Sequence, residues 1–190
     1  MDALSLRIIS IDAALENTGY CLYSVSPATF AHQINGIGVV TTEPGPDLDS
    51  RVRDIVSQIT NIASRHRANC YLIEQPPATL YCKPGTPHNV MVGRASSMFG
   101  VFAAAFGLLG YCHAYGIYHR MILPVHWQPK FPKPGMSKPW SVRQAKKVLA
   151  HLKYDYKLTG DNDHIADAIN IGRQAILNYH GGKWAVPSTQ

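Results

Sequence analysis

Two stretches of this chain, IISID at residues 8–12 and YLIE at 71–74, are apolar up to their last residue and then stop at a carboxylate. A short apolar run bounded by loop residues reads as a buried strand. A strand that ends in an acid fixes that acid at the rim of a sheet, where open α/β sheets place their ligand sites. If the two strands are parallel neighbours, Asp12 and Glu74 come within metal-sharing distance.

The rest of the pattern fits such a sheet. LRIISID (6–12), TGYCLYSV (18–25) and HQINGIGVVTT (32–42) are strand-like runs joined by short loops, which predicts an antiparallel meander. After the breaker EPGPDLD, apolar residues at 52, 55, 56, 59, 62 and 63 follow helical spacing. ANCYLIE is a fourth strand, stopped by Pro76 and Pro77. Residues 81–89 read as loop, and Val90 to Ala114 as a long helix packed with small residues. IYHRMILPV is a fifth strand, ending near Pro124. WQPKFPKPGMSKPW (127–140) is a basic, proline-rich loop, after which Ser141 is a plausible N-cap for SVRQAKKVLAHL. A last helix runs from about Asn162 to Tyr179. The order β-β-β-α-β-α-β-α-α predicts one α/β domain over residues 1–190. Its five-stranded mixed sheet has three antiparallel strands, then two parallel ones, flanked by helices.

Composition narrows the partner. With 190 residues, a net charge of +6 and 16% charged residues, the chain suits a folded protein with a polyanionic partner. Cysteines at 21, 70, 82 and 112 form no CxxC pair and read as reduced thiols of an intracellular protein. The N-terminal MDALSLRIIS lacks the features of a signal peptide. MFGVFAAAFGLLGYCHAYG (98–116) contains a histidine and many small residues, and is read as a buried helix and not a membrane span. No membrane partner is expected.

The last helix supplies a third acid. Ile165, Ala168, Ile169, Gly172, Ile176 and Tyr179 define its buried stripe, and Asp167 points away from the middle of it. Asp163 and His164, four and three residues earlier, share its flank. Helix N-terminal acids are favoured by the macrodipole, which accounts for Asp161 and Asp163 but not for Asp167, beyond the first turn. Three carboxylates suit hard divalent cations. Two such ions can activate a water and stabilise the leaving oxygen of a phosphodiester.

These motifs, in this order, resemble the RuvC family of Holliday-junction resolvases within the RNase H-like superfamily. IDAALENTGY resembles the first motif, with Asp12 ending strand one and Thr18, Gly19 and Tyr20 beginning strand two. LIEQ resembles the second, with Glu74, and HIADAIN the last, in which an Asp or His precedes the final Asp by three residues. The resemblance covers residues 6 to 180 and implies an RNase H-like fold. It implies that Asp12, Glu74 and Asp167 are catalytic metal ligands, with His164 as the fourth site residue and Asp163 its rival. It also implies two Mg2+ (or Mn2+) ions per site, paired symmetric nicks in a four-way junction leaving 5′-phosphates, and a homodimer. Ala13 and Ala14 stand where the family has Pro-Gly. The long proline-rich segment suits a phage or viral member acting in a host cytoplasm.

Phosphate contacts are expected from Lys130, Lys133 and Lys138, from Arg143, Lys146 and Lys147, and from Lys83 and Arg94 near the start of the long helix. Leu80 or Tyr81 is the candidate wedge into the junction. Competing functions are a flap or RNA–DNA hybrid nuclease of the same fold, and a non-catalytic junction binder. A nucleotide-binding fold of the sugar-kinase and actin type would need a second phosphate loop in a duplicated domain, and the chain has no such loop. No nucleotide cofactor is expected.

Overall fold

Strand β1 (Leu6–Asp12) is apolar on both faces, as a strand covered on both sides must be. In the computed structural model it is the central strand of a five-stranded sheet of order β3-β2-β1-β4-β5. Residues 6–45, 47–76, 87–131, 136–159 and 162–180 are described, apart from the side chains at 88–90 and 92–94. β2 (Asn17–Val25) and β3 (His32–Thr41) extend one side of the sheet as the expected antiparallel meander. β4 (Cys70–Glu74) and β5 (Tyr118–Ile122) extend the other, both parallel to β1. The mixed sheet with two parallel additions is the predicted one.

Each face of the sheet carries a core. Ile9, Ile11, Leu22, Tyr71 and Ile73 face helix α1 (Leu48–Arg65) and helix α2 (His88–Ala114), meeting Ile55, Ile59, Ala63, Ala104, Ala105 and Leu108. Ile8, Cys21, Tyr23, Cys70, Leu72 and Ile122 face helix α3 (Ser137–His151) and helix α4 (Asp163–His180). Asp47 caps α1 by accepting a hydrogen bond from the Ser50 amide at 2.9 Å. Cys21, Cys70 and Cys112 are buried free thiols, and burial pushes the Cys70 and Cys112 thiols up to about 12. Cys82 lies outside the described residues.

Three expectations need correction. Ser141 is no N-cap: α3 starts four residues earlier, at Ser137, and Ser141 is fully buried inside it. Pro139 falls in the first turn, where a missing N–H costs no helical bond, so the proline that suggested loop is compatible with helix. The long helix is not a buried one: Phe99 is 69% exposed and Phe106 50%. Residues Ala95–Ala114 are in fact long and apolar enough to cross a membrane, although Ala104, Ala105 and Leu108 are fully buried against the sheet core. Finally, α4 is buried on nearly every face, with Asp163, Ala166, Asn170, Ile171 and Ala175 inside as well as Ile165, Ala168, Ile169, Gly172 and Ile176 of the expected stripe, while Tyr179 is half-buried. Its acids therefore do not occupy a solvent flank.

Candidate active site

Strand parity brings the first two acids together. Ile11 pairs with Ile73 in the parallel β1–β4 register, so Asp12 and Glu74 are side by side at the carboxyl ends. Side chains alternate along a strand, so Asp12 follows Ile8 and Ser10 while Glu74 follows Cys70 and Leu72. Both acids therefore point to the face that α4 covers. Asp12 is 7% exposed. Its carboxylate and a hydrogen bond between the two raise the Glu74 carboxyl well above its ordinary range, after burial as the largest cause. The Trp127 indole favours the charged form of Glu74, though its buried Nε1–H closes no hydrogen bond of normal geometry.

Helix α4 delivers the third acid. An added Cβ on Gly19 would overlap the carbonyl of His164, and one on Gly172 would collide with the Tyr23 ring and lie 2.6 Å from Ser10 Oγ. These two glycines let the helix sit down on β1 and β2. Ser10 Oγ donates to Ala168 O at 2.7 Å, and Tyr23 Oη donates to Ile169 O at 2.7 Å, which pins the helix one turn beyond His164. Burial, then the charge of Asp12, pushes the Asp167 carboxyl up to about 7, partly offset by Ser141. Asp167 Oδ1 is buried without a hydrogen-bond partner, a costly state for a carboxylate oxygen.

The two candidates for the fourth position behave differently. His164 Nδ1 lies 2.6 Å from Asp12 Oδ2, and this bond holds the imidazolium above its ordinary range despite partial burial. Asp163, 9% exposed, pairs with Lys138 at the start of α3. The Lys138 ammonium lowers the Asp163 carboxyl against the opposing effect of burial. Lys138 thus stands on a helix at the rim of the acid cluster and not in a loop. Asp167 and Asp12 also favour its charged form.

Sequence reasoning missed the supports: Ser10, Tyr23, Trp127, and the pair in which Asn170 Nδ2 donates to Ser141 Oγ at 2.7 Å and to Ser141 O at 3.0 Å. A serine inside an otherwise apolar central strand was the available signal for Ser10. Of the basic candidates, Lys130, Arg143, Lys146 and Lys147 are exposed. The Arg94 side chain, Lys83, Lys133, Leu80 and Tyr81 lie outside the described residues.

Among the described residues, no three His, Cys, Asp or Glu side chains are gathered as a metal-ligand group. His164 is turned onto Asp12, Glu74 lies near enough to Asp12 to be raised by its charge, and Asp163 is turned onto Lys138. The donor set nevertheless fits a hard divalent ion. Three crowded carboxylates, two of them raised by burial and mutual repulsion, and one buried oxygen without a partner are what such an ion would neutralise.

The fold matches solved structures. Thermus thermophilus RuvC in complex with a Holliday junction superposes with a TM-score of 0.64 at 16% identity, covering 93% of this chain and 96% of that one. The fold is that of the RuvC-type Holliday junction resolvases. The fowlpox virus resolvase bound to its substrate junction gives a TM-score of 0.56 at 12% identity, covering 91% and 98%. The yeast mitochondrial Holliday junction resolvase gives 0.55 at 16%, covering 93% and 82%. No family model matches the sequence, and no curated protein matches it. The likeness to RuvC thus lies in the backbone and its element order, at identities that establish fold alone.

Proposed function

We propose that this chain is a metal-dependent endodeoxyribonuclease that resolves four-way DNA junctions. One observation carries the reading: Asp12, Glu74 and Asp167 come from three separate elements, near enough for the charge of Asp12 to raise the other two carboxyls, and one Asp167 oxygen is buried without a partner. Such a cluster is costly for stability, and sites that store this cost tend to be functional. Two Mg2+ or Mn2+ ions per site, held by these three acids, would supply an activated water and a stabilised leaving oxygen for hydrolysis to 5′-phosphate and 3′-hydroxyl ends. His164 orients Asp12 through Nδ1 and holds a proton there. Lys138 keeps Asp163 out of the cluster and brings positive charge to its rim, so His164 and not Asp163 is the fourth site residue.

Two nicks require two such sites in fixed relation, hence a homodimer. Phe99, Phe102 and Phe106 form one stripe on α2, Phe102 and Phe106 stacked with ring centroids 5.8 Å apart, and Phe99 and Phe106 are exposed. This stripe is the proposed dimer contact. The exposed Lys130, Arg143, Lys146 and Lys147 would carry salt-sensitive phosphate binding, and action inside a cell follows from that substrate.

The test is cleavage of a four-way junction, a flap, a linear duplex and an RNA–DNA hybrid with Mg2+, Mn2+, Ca2+ or EDTA. Paired nicks confined to the junction, dependent on Mg2+ or Mn2+ and lost in Asp12→Asn, are expected. Preference for flap or hybrid would move the reading to another nuclease of this fold. Tight junction binding without cleavage in any metal would make the chain a junction binder.

A further inference from the structure

A cleft of about 130 Å3 opens where α3, α4 and the segment after β5 meet. Its walls are Trp127, Trp140, Gln144, Asn170, Arg173 and Gln174. On α4, Asn170, Arg173 and Gln174 lie three, six and seven residues beyond Asp167, about 5–10 Å along the helix axis. Two walls are shared with the acid cluster, since Trp127 neighbours Glu74 and Asn170 holds Ser141 beside Asp167. A nucleotide adjoining a phosphate in the active site could therefore reach the cleft.

The lining chemistry selects a planar ligand with a polar edge. Trp140 is braced edge-to-face by Phe131, with centroids 5.7 Å apart and planes at 66°, which makes it a fixed stacking surface. Among the described residues the Arg173 guanidinium has no hydrogen-bond or ion-pair partner, and neither does the Gln144 carboxamide. Gln174 donates its amide to Asn178 at 3.2 Å, which orients its carbonyl. An inorganic anion would use Arg173 but not two indoles and three carboxamides. A drug-sized ligand needs roughly 300–1,000 Å3, so the volume suits one small ring system.

We propose that the cleft receives one unstacked nucleobase of the cleaved strand beside the scissile phosphate and reads its edge. Guanine is the best match, because an arginine fork pairs with O6 and N7 while the carboxamides meet the remaining edge. The proposal rests on the nuclease reading above and adds the residues that set its sequence preference.

The test compares wild type with Gln144→Ala, Arg173→Ala and Arg173→Lys on junctions carrying each of the four bases at the positions flanking the cut. Wild type should favour guanine at one position. The variants should reduce the ratio of best to worst sequence by about tenfold, with cleavage of the poor sequences nearly unchanged. Arg173→Lys keeps the charge but not the fork, so it should lose the preference too. In EDTA, a junction with guanine at the preferred position should bind wild type several-fold more tightly than one with 7-deazaguanine there, which lacks the N7 acceptor, and Arg173→Ala should bind the two alike. Indifference of wild type to sequence, or an equal loss on every sequence in the variants, would overturn the proposal. Should wild type cut no junction, the nuclease reading fails, and binding still decides: a preference for guanine over 7-deazaguanine beside the crossover that Arg173→Ala abolishes retains a base pocket, and no such preference removes it.

Discussion

Helices α2 and α4 cover opposite faces of one sheet, and both are rich in small apolar residues, yet they are seated differently. α4 is buried almost all round, although it carries Asp163, His164, Asp167 and Asn170. α2 carries more apolar side chains and leaves Phe99 and Phe106 in solvent. The difference lies in what meets each helix. Gly19 and Gly172 remove the Cβ atoms that would hold α4 off the strands, and the Ser10 and Tyr23 hydroxyls dock onto its carbonyls. α2 has close glycine contacts of its own, Gly100 against Leu15 and Gly107 against Val52, but these meet side chains of a loop and of α1 and not the strands, and Gly110 meets nothing within 4 Å. Depth of burial thus follows from shape and polar anchoring, and apolar content alone does not produce it.

This contrast can be broken at several points. The largest effect is expected from Asp167→Asn, which should lower junction cleavage by at least about a thousandfold while leaving junction binding within a few-fold. An equal loss of binding would mean that α4 supports structure and not chemistry.

A matched pair of glycine substitutions tests the seating itself. Gly172→Ala should destabilise the protein by roughly 2–4 kcal/mol, because Tyr23 and Ser10 cannot move away from a buried helix. Gly110→Ala should stabilise it by about 0.5–1 kcal/mol through helix propensity. Denaturant unfolding that gave both the same sign would remove the distinction between the helices.

On α2, replacing Phe99 and Phe106 together by Ser should weaken self-association by about tenfold or more, read by sedimentation, with the monomer's helical content intact. A change in fold and not in assembly would return the stripe to the core.

The acid cluster makes a pH prediction whose sign is fixed. The Asp167 carboxyl, raised to about 7 in the folded protein, binds a proton more tightly folded than unfolded. Its contribution is fully present at low pH and is lost as pH rises from about 4 through 7. The raised His164 acts in the same direction, its stabilisation lost as pH rises through its folded value. Thermal stability in EDTA should therefore fall across this window by the equivalent of about 1–3 kcal/mol, and Mg2+ or Mn2+ should restore it at pH 8. A metal-insensitive profile would argue against the ligand assignment. The smallest effect belongs to Tyr23→Phe, which should cost about 1 kcal/mol through the lost bond to Ile169.

Much of this was legible in the chain. Apolar runs ending at Asp12 and Glu74 fixed two strand ends, and the parallel neighbourhood of β1 and β4 followed from element order. Hydropathy reports composition and cannot say which apolar residues of the long helix find a partner, so it predicts a buried helix where the structure leaves one face exposed. The prolines before Ser141 suggest a loop with Ser141 as its cap, whereas a proline in a first helical turn costs nothing. Ser10, Tyr23 and Trp127 escaped because a single polar group in an apolar run carries no periodic signal.

The sequence by itself determined the element types, their order and which three acids are candidates for the site, because strand and helix periodicity and the chemistry of carboxylates are local properties. Only the tertiary structure decided that His164 pairs with Asp12, that Lys138 takes Asp163, and that α4 sinks far enough to strand an Asp167 oxygen. Those outcomes depend on the distance between a helix and a sheet, which two glycines and two hydroxyls set from far along the chain.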